Sequence, residues 1–150
     1  MPIIPEEVRQ ELKQRFDSEL VGNVRVRLFT QHGGLIIVPG RECPTCKETG
    51  EMMEEVSSLS DKIELEVHDV YTEPELASER GIERIPAIVL EGEARGGVRY
   101  FGIPAGSEFP AFVEDLIEVS KGTTSLSDES KESLAALSKD VHIQVFVTPT

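Results

Sequence analysis

Two stretches of alternating hydrophobicity, separated by one of helical spacing, constrain this chain most. In "NVRVRLFTQ" (23–31) Val24, Val26 and Leu28 alternate with Arg25 and Arg27, the period of two that puts apolar side chains on one face of a strand. In "KIELEVHDV" (62–70) Ile63, Leu65 and Val67 alternate with Glu64, Glu66 and His68 in the same way. Between them Met52, Met53, Val56 and Leu59 recur at helical spacing. Strand, helix, strand in that order predicts two parallel strands joined by a crossover helix, because parallel neighbours need a long connection back to the starting end. Met52 and Met53 read as core rather than as a substrate groove.

The remaining segments add to this unit. "PEEVRQELKQRFDSEL" (5–20) carries Val8, Leu12, Phe16 and Leu20 at steps of four, with Glu6 and Glu7 in the first turn; it predicts an amphipathic helix. After the break "HGG" (32–34), "LIIVP" (35–39) reads as a short strand or hairpin arm. "EPELASERG" (73–81) is a short helix stopped by Gly81. "PAIVLEG" and "GVRYFGI" form an antiparallel hairpin around "EGEARGG" (91–97). Ser107 is expected to cap a helix over 108–120, with Pro110 tolerated in its first turn. A polar connection (121–130), a helix through "ESLAALS" and a strand "VHIQVFV" (141–147) follow. Gly50, inside the central helix, costs about 1 kcal/mol relative to Ala, and the sequence offers no reason for it. The expected architecture is α/β: a mixed four-stranded central sheet flanked by helices on both faces, plus a C-terminal helix and strand.

Charge narrows the function classes. Fifteen basic residues stand against 28 acidic ones, a formal charge of −13. Such a surface repels phosphate backbones and anionic lipid, so neither nucleic acid nor a membrane is expected as a partner. "MPIIPEEVRQELKQRF" has neither the basic nor the apolar region of a secretory signal, and no apolar run approaches the length of a membrane span. The expected location is cytoplasmic, a reducing compartment where a close cysteine pair is more often catalytic or metal-binding than a permanent staple.

The chain's two cysteines, Cys43 and Cys46, stand in "CPTC" at the opening of the central helix, expected from Pro44 to about Leu59. A structural zinc site needs four ligands, and His32, His68 and His142 are scattered singly. A disulfide across so small a ring adds little stability, so its distinctive property is to pass between oxidised and reduced forms. A helix start turns free N–H groups and partial positive charge toward the first sulfur, which in such motifs lowers the thiol pKa from about 8.5 to roughly 3.5–7.5. Cys43 is therefore the expected nucleophile and Cys46 the sulfur that resolves its mixed disulfide. Arg41 and Lys47 add positive potential, while Glu42 and Glu48 oppose it. In "ERIPAIVL" Pro86 heads the third strand. The expectation there is a cis Ile85–Pro86 bond, with Ile85 presenting its backbone to an incoming peptide strand. The alternative of another class is a non-enzymatic module whose cysteine pair is structural and which docks a partner unit.

CPTC opening a helix, "RIPA" before a hairpin and "VRYFGIPAGSEFPAFVEDLIEVS" together resemble the glutaredoxin-like protein disulfide oxidoreductases, of thioredoxin-like fold. The resemblance covers essentially the whole chain. It implies thiol–disulfide exchange with protein disulfide substrates, a redox-active disulfide at Cys43 and Cys46, and the cis-proline role for Pro86. It implies no cofactor bound to the chain itself, with reducing equivalents from NADPH through a thioredoxin-reductase-like flavoprotein. In that family two such units stand in tandem, each with its own CxxC. The expected division is therefore a thioredoxin-like unit at 1–121, followed by a linker helix and the first strand of a missing second unit at 122–150. That strand, if unpaired, would favour homo-association. Departures from the pattern are the long segment "HGGLIIVPG", the absence of the Trp and Gly of WCGPC, and no acid in "RLFTQ" to assist Cys46. No carboxylate-binding set for glutathione stands out beside Pro86.

Overall fold

β1 (Val24–Thr30) is the strand on which the sheet is assembled. In the computed structural model, which describes residues 2–32, 40–92 and 97–147, β1 pairs in parallel with β2 (Ile63–Asp69), from Val24↔Ile63 to Thr30↔Asp69. On its other side it pairs antiparallel with β3 (Ala87–Glu91), from Phe29↔Ala87 to Arg25↔Glu91. β4 (Val98–Phe101) closes the antiparallel hairpin on β3, giving the order β2-β1-β3-β4. The crossover between β1 and β2 runs through α2 (Cys46–Ser57). The expected mixed four-stranded sheet is thus present. The arm expected at 35–39 and the turn residues 93–96 lie outside the described residues.

The period of two sorts the strand residues onto two faces. Val24, Val26, Leu28, Ile88 and Leu90 are buried on one face. They lie in one cluster with Leu12 and Phe16 of α1 (Glu6–Glu19), Met52, Met53 and Val56 of α2, and Phe112 and Leu116 of α4 (Phe109–Lys121). Full burial of side chains of this size contributes about 1.5–3 kcal/mol each. Phe29, Ala87 and Val89 point the other way and pack with Ala77 of α3 (Pro74–Glu79).

That second face also carries Arg27, one of the polar residues of the β1 alternation, yet its side chain is only 12% exposed. Its charge is answered by the Glu91 carboxylate 2.9 Å from Nε and by Glu66 2.5 Å from Nη1. Arg80, just past α3, pairs with the other oxygen of Glu91. His68 stacks on Phe29 at 5.3 Å and lies 2.7 Å from Glu73. A charge drawn from water is tolerated only where partners answer it, and here each arginine meets a carboxylate.

Several boundaries differ from the sequence expectation. α2 begins at Cys46 rather than at Pro44, because Cys43 to Thr45 form a turn closed by the Cys46 N–H on the Cys43 carbonyl (3.4 Å). Ser107 caps no helix; it lies in a 3-10 turn (Gly106–Glu108), and α4 begins at Phe109. Ser127 is the serine that caps: its hydroxyl accepts the Ser130 N–H (3.2 Å) and starts α5 (Asp128–Ala135) ahead of "ESLAALS". Residues 141–147 form no strand. Their alternation is that of a strand, but no ladder is formed along them, and Ile143 and Phe146 are exposed.

Two glycines beside the sheet differ in kind. A Cβ on Gly50 would meet only Leu28 Cδ2, at an ordinary 3.9 Å, whereas one on Gly92 would lie 2.4 Å from the Val119 carbonyl oxygen. Gly92 is needed for the approach of β3 to α4; Gly50 is not needed for space. Urea denaturation is therefore expected to show Gly50→Ala more stable by about 1 kcal/mol, and Gly92→Ala clearly less stable. A destabilised Gly50→Ala would show that this position serves something other than packing.

Candidate active site

The C-terminal end of β1 is where the sheet's pairing concentrates chemistry. Parallel β2 ends beside it at Thr30↔Asp69, and antiparallel β3 begins beside it at Phe29↔Ala87. The crossover leaves from this end and delivers the cysteines, while Pro86 stands one residue before β3. Such an end is where open α/β sheets hold ligands, since connections diverge there and leave a crevice.

Cys43 and Cys46 form a disulfide with Cα atoms 5.4 Å apart. Their environments differ. Cys46, the first residue of α2, is buried at 6% exposure, whereas Cys43 precedes the helix and is half-buried. The α2 start is fixed from within: Thr49, fully buried, donates from its N–H (2.9 Å) and its hydroxyl (2.6 Å) to the Thr45 carbonyl. The first N–H groups of α2 have no helical acceptors of their own. Lys47 is drawn toward Glu51 at 3.7 Å, and Arg41 lies over the Tyr71 ring at 4.3 Å.

Ile85–Pro86 is cis, as expected from the sequence. The Pro86 carbonyl accepts the Gly102 N–H at 2.8 Å, which carries the β3–β4 pairing past Ala87↔Phe101 to the rim of the sheet. Ile85 is half-buried against the Phe29 cluster. Arg84 lies over the ring of Phe101 at 5.5 Å.

Asp69 was not singled out by sequence, yet it ties this rim together. Its carboxylate accepts the His32 N–H (2.8 Å) and the Tyr71 N–H (2.8 Å), with the His32 ring nitrogen Nδ1 3.0 Å away. Burial pushes its pKa up, but these backbone donors and the His32 ring outweigh it and hold the carboxyl below its ordinary range. His32 and Tyr71 begin the connections that follow β1 and β2, so one carboxylate joins both. The available signal was positional: Asp69 is the last residue of a parallel strand, at the end where its neighbour feeds the cysteine loop.

Among the described residues no group of three or more His, Cys, Asp or Glu is placed to hold a metal ion. Among them, too, no helix is long and apolar enough to cross a membrane.

Comparison with known proteins agrees with this geometry. The family model described as "Thioredoxin domain" matches residues 35–114. A probable thioredoxin of Methanothermobacter thermautotrophicus is 32% identical over 77 residues, 51% of this chain and 86% of that protein. The thioredoxin of Methanocaldococcus jannaschii is 31% identical over 85 residues, 56% of this chain and 85% of that one. Among solved structures, a protein disulfide oxidoreductase from Aeropyrum pernix K1 superposes with a TM-score of 0.74 at 30% identity, covering 89% of this chain and 55% of that one. The NTD_N/C domain of the alkylhydroperoxide reductase AhpF from Enterococcus faecalis gives 0.74 at 28% identity, covering 91% and 62%. The chain thus spans little more than half the length of the first of these structures.

A carboxylate whose folded pKa is depressed stabilises the fold above its unfolded pKa, near 4, and loses that contribution as pH falls through the folded value. Asp69→Asn is accordingly expected to be less stable than the wild type at neutral pH, with the gap closing as pH falls from there through the folded value. Urea melts across that range check this. A gap that stays constant with pH would assign the loss to geometry rather than to the charge.

Proposed function

The chain belongs to the thioredoxin-domain family, and from that premise we propose that it is a thiol–disulfide oxidoreductase acting on protein disulfides, with Cys43 as attacking sulfur and Cys46 as resolving sulfur. One observation carries this reading: the two sulfurs are bonded, yet Cys43 is only half-buried while Cys46 is buried in the first turn of a helix. A client disulfide reaches Cys43 more readily than Cys46, which gives the exchange a direction.

In the reduced protein the Cys43 thiolate attacks a client disulfide. The Cys43–client bond forms, the client S–S bond breaks, and the departing client sulfur takes a proton. Cys46, deprotonated in turn, displaces the client from Cys43 and closes the Cys43–Cys46 disulfide, so two electrons pass to the client. Unpaired N–H groups at the α2 start stabilise the Cys43 anion, as such positions do generally. Ile85 and Pro86, at the rim where β3 begins, take the client backbone in this reading. Electrons travel on the sulfurs, so the cycle needs no cofactor held by the chain. Re-reduction falls to a thioredoxin-reductase-like flavoprotein drawing on NADPH. The likeness to the Aeropyrum pernix enzyme supports the choice of protein disulfides, and that to AhpF supports a redox partner.

Cys43→Ser is expected to abolish reduction of insulin disulfides, and Cys46→Ser to accumulate mixed disulfides visible on non-reducing gels. Wild-type turnover by Cys43→Ser would end the proposal. A redox titration separates exchange chemistry from a structural pair: a midpoint between about −120 and −270 mV is expected, whereas one below about −300 mV belongs to a structural disulfide.

A further inference from the structure

Most arginines in this chain meet a carboxylate. Arg9, Arg15, Arg25, Arg27 and Arg80 each form an ion pair, and Arg99 donates to the Arg80 carbonyl at 3.2 Å. With 28 acidic residues against 15 basic ones, carboxylates are not scarce. Arg41 and Arg84 nevertheless form no ion pair among the described residues; each lies over an exposed aromatic ring, Tyr71 and Phe101 respectively. A ring face orients a guanidinium without neutralising it, at a gain of only about 0.5–1 kcal/mol at an exposed site. The planar donor fork remains free for a carboxylate.

Both pairs occupy the rim that holds the disulfide. Tyr71 lies two residues past the end of β2, and Arg41 precedes Cys43 by two residues. Phe101 ends β4 opposite Ala87, and Arg84 precedes Pro86 by two. β2 and β4 are the outer strands of the sheet, so the two platforms stand about three strand spacings apart, roughly 14 Å. An extended segment of about four or five residues spans that distance. Pro86 precedes β3, an inner strand, and Cys43 lies in the crossover that joins β1 to β2.

Resting on the exchange reading above, the geometry points to a specificity device: Arg41 and Arg84 select client segments that carry acidic residues about two positions on either side of the reactive cysteine. Basic clients are drawn diffusely to a surface of charge −13, without preference for this rim. Acidic ones gain only here, within the roughly 8 Å over which exposed charges are felt at physiological salt.

The test uses the full chain with dithiothreitol as reductant. Its substrates are two synthetic peptides, each with one cysteine in a disulfide with 2-mercaptoethanol, flanked at both second positions by Asp in one and by Lys in the other. Cys43 bonds to the peptide sulfur and releases mercaptoethanol; Cys46 then frees the peptide thiol, and dithiothreitol reopens the disulfide that results. The wild type is expected to favour the Asp peptide by about tenfold in kcat/KM at low salt, the scale of two exposed ion pairs, with the ratio shrinking as salt is added. Arg41→Glu and Arg84→Glu should each lower the ratio, and together invert it. Lys139→Glu, with the same charge change on the exposed C-terminal segment, should leave it where it was. Equal rates on the two peptides, or a preference for Lys, would overturn the specificity device and leave thiol exchange standing. Reduction of neither peptide would overturn both.

Discussion

The pairing of β1 on both of its edges determines where everything else lies. Its parallel partner obliges the chain to return by a crossover helix, so the helix start, and with it Cys46, must follow from the C-terminal end of β1. Its antiparallel partner obliges β3 to begin at that same end, so the residues before Ala87 arrive there too. Segments forty residues apart in sequence meet through backbone hydrogen bonds alone, before any side chain has contributed specificity. Because one face of β1 is closed by Val24, Val26 and Leu28, a slip of one residue would turn those side chains out of the core. Core packing therefore fixes the register, and the register fixes the site.

Acidity is handled differently in the two layers of the molecule. Beneath α1, α2 and α4 the buried set is almost wholly apolar. On the α3 side a short apolar patch is bordered by Arg27, Glu66, Glu91 and Arg80, whose charges answer one another. Removing Glu91 would leave Arg80 without its carboxylate and Arg27 with Glu66 alone, and an uncompensated half-buried charge costs more than a pair contributes. This accounts for so short a helix as α3 being held in place: its apolar footprint is small, and the ion pairs beside it add direction.

The fold was legible wherever a period was sustained. β2 alternates over its whole length and β1 from Val24 to Leu28, and α2 repeats its apolar residues at helical spacing, so the parallel unit could be read directly. The cysteine pair could be read because the chain holds only two cysteines, and Pro86 because it heads a strand. What the sequence concealed depends on partners rather than on patterns. Arg27 alternates with apolar residues as a solvated residue would, but is nearly buried between Glu66 and Glu91. Ser107 and Ser127 are equally good caps in isolation, and only the second has its hydroxyl on a free N–H. Residues 141–147 show that alternation states a capacity for pairing, not its fulfilment. Asp69 closes a strand like many other aspartates; its importance arises because His32 and Tyr71 converge on it from two connections.

That convergence explains how a reactive rim is carried without weakening the core. Cys43 lies outside the helix, so its sulfur can form and lose bonds to other molecules without breaking a helical hydrogen bond. Cys46 lies inside the first turn, where Thr49 fixes the Thr45 carbonyl and the surrounding packing keeps the sulfur from solvent. Asp69 holds the strand ends from which the neighbouring connections depart, a task suited to a carboxylate because its two oxygens accept one N–H from each connection. The exchange proposed at the outer sulfur would draw on the local geometry of a turn, while stability rests on the packed core.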